Sequence, residues 1–167
     1  GHTLKPAASE DQRPVNDRTQ TAFNVRARLN LMGTGTIIGN GGSAIYSNMS
    51  TAGKTPEVHI YGPTIENNVN TGEAVVVYEN ANSKSANVTL HSGLIKGKNY
   101  YAIRMNTSKL TIKGGAVKGN IILGNAAAER LPTAEITGGT VDSYIHYCEA
   151  GRDANITVGN GYIKHLL

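Results

Sequence analysis

The chain has 167 residues, enough to bury one core and short for two full domains. Aromatic residues make up only 5%, with no Trp and one Phe against 20 Gly, which argues against a large aromatic-centred core and for tight, repeated turns. The formal charge of +4 is spread along the chain with no basic block or nucleic-acid motif, the single Cys148 excludes an intrachain disulfide framework or thiolate cluster, and no apolar run is long enough to span a bilayer.

Residues 1–26 are polar, contain Pro6 and Pro14, and show neither helical nor strand periodicity, so they read as a linker or an irregular N-terminal cap. From Leu29 onward the chain repeats a unit of apolar-x-apolar followed by Gly-x-(Ile/Val). The first copy is Leu29-Asn30-Leu31 with Gly35-Thr36-Ile37, and the second is Val58-His59-Ile60 with Pro63-Thr64-Ile65. Val88-Thr89-Leu90 with Gly93-Leu94-Ile95, and Leu110-Thr111-Ile112 with Gly115-Ala116-Val117, continue the series. It ends with Ile136 and Gly139-Thr140-Val141, then Ile156-Thr157-Val158 and Gly161-Tyr162-Ile163.

Successive anchors at Ile37, Ile65, Ile95, Val117, Val141 and Ile163 are separated by 28, 30, 22, 24 and 22 residues, the length of one solenoid turn. Alternation such as Val58-His59-Ile60 puts the two apolar side chains on one face and the histidine on the other. One such turn cannot bury its apolar face alone, whereas stacked turns pair their backbones and enclose the Ile, Val and Leu side chains. The Gly or Pro before each second anchor marks a corner. A third strand follows each corner: after an added loop at Ala44-Ile45-Tyr46, Ala74-Val75-Val76-Val77-Tyr78 and Ala102-Ile103-Arg104, and directly at Ile121-Ile122-Leu123 and Tyr144-Ile145-His146. The expected fold is all-β: a single-stranded right-handed parallel β-helix of about six rungs over residues 27–167. The chain stops at Leu166-Leu167 without a polar cap, which predicts a longer native protein or end-to-end and homo-oligomer contacts.

Leu110-Thr111-Ile112-Lys113-Gly114-Gly115-Ala116-Val117-Lys118-Gly119-Asn120 resembles the β-helix repeats of bacterial surface and adhesin proteins, L-T-I-x-G-G-x-I-x-G-N. Gly41-Gly42-Ser43-Ala44-Ile45 and Glu135-Ile136-Thr137-Gly138-Gly139-Thr140-Val141 match parts of the same pattern. The resemblance covers residues 29–167 and implies the fold and an extracellular or cell-surface location; such repeats serve many functions, so the expected partner, a polysaccharide or surface glycan, follows from the outward residues and not from the resemblance. Pectate-lyase-like enzymes and polysaccharide hydrolases share this superfold. The adjacent Asp pair, N-T-D, G-H-G and R-I-K segments by which those hydrolases resemble one another do not occur here.

The residues lean against an enzyme and point to a non-catalytic module binding glycans or mediating adhesion. The alternatives are a polysaccharide lyase or hydrolase, with Lys96, Lys118 and Arg104 as the best basic neighbourhood for a lyase, or a phage or viral receptor-binding segment. No cofactor and no metal are expected, because the calcium-repeat motif is missing and His59, His91, His146 and His165 show no ligand pairing at helical spacing. Thr89, Thr111 and Thr157 share an outward position, but His59 and Glu135 interrupt the row and spoil it as an ice-matching lattice.

Two outward rows remain. Ile38, Glu66, Lys96, Lys118, Asp142 and Lys164 form a mixed-charge row suited to cross-strand pairing. Tyr46, Tyr78, Arg104, Ile122 and His146 form the second, with Tyr100 and Tyr101 in the loop before Arg104. Tyrosine faces stack on sugar rings and arginine binds their hydroxyls or carboxylates, so Tyr46, Tyr78, Tyr100, Tyr101, Arg104 and His146, together with Lys96 and Lys118, are the candidate ligand-binding residues.

Overall fold

Alternating Val, Ile and Leu in short runs bounded by glycine favour strands, and strands are what form. The computed structural model describes residues 2–4, 21–39, 43–47, 55–67, 73–77, 86–106, 108–124, 132–147 and 154–166, without the side chains of Val76, Asn99, Tyr100, Tyr147 and Leu166. The described residues contain no helix. The strands are β1 (Thr3–Leu4), β2 (Phe23–Asn24), β3 (Arg28–Met32), β4 (Thr36–Gly39), β5 (Ile45–Ser47), β6 (Glu57–Asn67) and β7 (Val75–Val77). They continue as β8 (Asn87–Met105), β9 (Lys109–Ile112), β10 (Ala116–Leu123), β11 (Thr133–Ile136), β12 (Thr140–Tyr147), β13 (Asn155–Val158) and β14 (Tyr162–Leu166).

Every pairing among them is parallel, and the registers sort into three ladders. The first aligns Leu31, Ile60, Leu90, Ile112, Ile136 and Val158. The second aligns Leu4, Ile37, Ile65, Ile95, Val117, Val141 and Ile163, which are the sequence-derived anchors with one N-terminal addition. Phe23, Ile45, Val75, Ile103, Ile121, Ile145 and Leu166 make the third. The long strands β6, β8, β10, β12 and β14 pass from one ladder to the next, so all fourteen strands form one hydrogen-bonded network.

The inward members of all three ladders meet in one apolar cluster, fully buried from Val58 through Ile145. The first ladder ends exposed: Val158 is 48% accessible, where Ile136, one repeat earlier, is sealed. Two strands within residues 1–26 join this network. β1 pairs with β4, and Thr36 donates its amide to the His2 carbonyl at 2.9 Å, while β2 pairs with β5.

The corners stack as well. Gly93, Gly115 and Gly139 have φ of 99°, 76° and 72°, in the left-handed region that a Cβ disfavours. In the second repeat Pro63 occupies the corner, and since its ring fixes φ near −65° the positive angle moves to Gly62, at 105°.

An exposed aromatic row as candidate functional site

β8 carries extra chain after Lys96. Lys96 pairs with Lys118 and Tyr101 with Asn120, so residues 97–100 bulge where β10 has one residue, and Ala102 is a further insertion before Ile103 meets Ile121. Gly97 makes this bulge possible, because a Cβ there would meet the Tyr101 carbonyl. The result places Tyr101 beside Asn120. The Asn120 side-chain oxygen accepts the Tyr144 amide at 3.3 Å and also the Ser143 hydroxyl, fixing the next strand. Tyr144 in turn pairs with His165, and their rings stack 4.6 Å apart at 18°.

Tyr101, Asn120, Tyr144 and His165 therefore form a row across four adjacent strand segments. Tyr101 is 39% and Tyr144 36% accessible, so both rings reach solvent, as do Tyr61 and Tyr162 outside this row. Chain comparison adds no precedent: no family model, curated protein or solved structure matches.

The mixed-charge row follows the anchors of the second ladder. Lys96 lies 3.8 Å from Glu66 and Lys164 3.6 Å from Asp142, exposed ion pairs that contribute about 0–1 kcal/mol each and leave both lysines free to exchange partners. Lys118, beside Lys96, is exposed and has no ion-pair partner among the described residues. Aromatic faces and an amide can contact sugar rings and hydroxyls, and ammonium groups can contact carboxylates.

The second row expected from the sequence takes a different form. Its members by register are Tyr46, Val76, Arg104, Ile122 and His146, so Val76 and not Tyr78 occupies the second place. Tyr78 lies outside the described residues, as does the side chain of Tyr100. This row is largely covered: Tyr46 is 3% and Ile122 5% accessible, so Tyr46 offers no face to a sugar. Arg104 is not an exposed arm, since its Nε donates to Glu73 Oε1 at 2.6 Å in a partly buried ion pair. His146 is half-buried near Tyr144, with Nε2 buried and unpartnered among the described residues. Of the expected residues, Tyr101, Lys96 and Lys118 are exposed, and Lys96 and Lys118 are register partners.

A second outward cluster lies on the first ladder. Glu57, next to Arg28, receives the Arg28 Nε at 2.7 Å and faces His59 Nε2 at 3.5 Å. The Arg28 guanidinium, and after it the His59 imidazole, holds the Glu57 carboxyl below its usual range. His59 Nδ1 lies 3.2 Å from His91 Nε2, and the Tyr61 ring stacks on His91 at 4.1 Å. Burial first, then the charges of Lys113 and His59, pushes the His91 imidazole below its ordinary value. The two histidines are 32 residues apart in sequence, which is why a search at helical spacing does not pair them. Among the described residues no group of three or more His, Cys, Asp or Glu side chains is arranged to hold a metal ion.

Proposed function

We propose that this chain is a module of a right-handed parallel β-helix, about six rungs long, that binds an extended polysaccharide on its outer surface and belongs to a secreted or cell-surface protein. The fold reading rests on three parallel ladders that recur in the same chain order and share one apolar interior; the right-handed sense follows the strong preference of parallel crossovers. The binding reading rests on one observation, the row Tyr101, Asn120, Tyr144 and His165, in which both tyrosines are exposed. Neighbouring strands are about 4.8 Å apart, so Tyr101 and Tyr144, two strands apart, are spaced on the order of two sugar rings along the stack. A glycan chain lying parallel to the stacking direction meets both rings, and exposed Lys118 supplies a charge for a carboxylate or sulfate.

The test is an array of pectin, alginate and glycosaminoglycans, with and without calcium, read for both retention and product. Retention without new reducing or unsaturated ends is the expected result. Calcium-dependent release of unsaturated uronate would replace the binding reading with a lyase, and failure of every polysaccharide to be retained would remove the glycan.

A further inference from the structure

We propose that His59 and His91 form a surface site for one divalent transition-metal ion of the zinc class, with Glu57 orienting the first ligand. The site is separate from the glycan row: His59 and His91 belong to the first ladder, whereas Tyr101, Asn120, Tyr144 and His165 come just before the third-ladder anchors.

The pairing of β6 with β8 carries the inference. Ile60 faces Leu90, but Tyr61 faces Ser92, so His91 is an extra residue in β8, a bulge of the kind that re-aims a side chain. Without that residue the outward positions would continue the register in which His59 faces Thr89, and the strands would present one imidazole. With it, His59 Nδ1 and His91 Nε2 converge to 3.2 Å. Two nitrogens bound at 2.0–2.1 Å to a tetrahedral zinc ion lie about 3.3–3.4 Å apart, so the pair holds a bidentate spacing before any metal arrives.

The surroundings fit ligands more than a simple polar contact. Glu57 Oε2 faces the other nitrogen of His59, at 3.5 Å, and the same oxygen accepts the Arg28 guanidinium, which fixes the carboxylate. This is the carboxylate–histidine–metal order, in which Nε2–H donates a hydrogen bond to the outer carboxylate and Nδ1 keeps its lone pair toward the metal. Tyr61, stacked on His91 at 4.1 Å, holds the second ring in place. His59 keeps 24% of its side-chain surface, so water completes the coordination sphere from the open side. Without metal the two nitrogens share one proton; on binding, the metal takes its place, and that proton passes through solvent to Nδ1 of His91, which stays neutral. Imidazole suits zinc, copper and nickel, and with two protein ligands the site selects among them weakly.

Isothermal titration of the full chain with zinc chloride near neutral pH tests this. One equivalent should bind saturably. His59→Gln and His91→Gln should each abolish the saturable heat, Glu57→Gln should weaken binding about 10–100-fold, and His165→Gln and His2→Ala should leave it unchanged. The wild-type protein supplies a reading that needs no variant. In imidazole nitrogen NMR, zinc should shift His59 Nδ1 and His91 Nε2, with His146 and His165 unmoved. Absence of saturable binding, or binding that survives both histidine variants, or zinc shifts confined to other histidines, overturns the proposal and leaves a hydrogen-bonded pair.

Discussion

Alanine at Gly115 and alanine at Gly33 separate the conformational cost of a corner from the cost of stacking it. Both glycines have positive φ, 76° and 102°, so either substitution forces an L-residue into a disfavoured region at about 1–3 kcal/mol. At Gly33 a new Cβ has no atom within 4 Å, and the cost ends there. At Gly115 it would lie 2.5 Å from the Gly93 carbonyl oxygen and 2.9 Å from its nitrogen, inside the backbone of the preceding repeat. Relief requires the strands to part locally, weakening bonds to the preceding repeat such as the Lys113 amide to the Leu90 carbonyl, 2.8 Å, at about 0.5–1.5 kcal/mol each. Gly115→Ala should therefore cost roughly 3–5 kcal/mol against 1–3 for Gly33→Ala, large against a domain stability of about 5–15 kcal/mol. Urea unfolding followed by circular dichroism reads the difference directly. Equal costs at the two sites would mean that consecutive corners are not in contact, and the stacked register would be wrong.

Ile112→Asp places an unpaired carboxylate among fully buried side chains and should lower stability by several kcal/mol, seen as loss of the folded circular dichroism signal or a sharply lower Tm. Arg104→Ala leaves Glu73, only 12% accessible at its side chain, without its guanidinium; urea unfolding should show a loss of about 1–3 kcal/mol, whereas an unchanged midpoint would mean the pair contributes nothing. In the metal-free protein, NMR titration should place the His91 midpoint below the ordinary 6.5, and Lys113→Gln should raise it only part of the way, because burial is the larger cause. The sign follows from a depressed imidazole: its neutral form is favoured by the fold, so its contribution to stability is complete above 6.5 and is lost as pH falls below that value.

The anchors were legible in the sequence because stacking demands the same inward residue in every repeat. Each register step from Ile37 to Ile163 falls on the spacing read from Gly-x-Ile and Gly-x-Val. The interruption of the threonine row is equally plain, with His59 opposite Thr89 and Glu135 opposite both Thr111 and Thr157. Outward positions were harder, since alternation says which way a side chain points but not what covers it. Tyr46 and Ile122 point away from the ladder's inward face and are buried nonetheless. Insertions hid the rest. Bulges at His91 and Ala102 break the count of two, and they bring His91 to His59 and Tyr101 to Asn120. Asn120, Tyr144 and His165 could have been found by reading the residue before each third-ladder anchor, Ile121, Ile145 and Leu166, and not only the one after it.

The glycan reading turns on the two exposed tyrosines. Tyr101→Ala combined with Tyr144→Ala should weaken binding of whichever polysaccharide the array retains by about tenfold or more, as expected for two lost stacking contacts, while Tm changes little because both rings are more than a third exposed. Titration calorimetry on wild type and the double variant measures this. Equal affinity in the two proteins would contradict the assignment of the binding face.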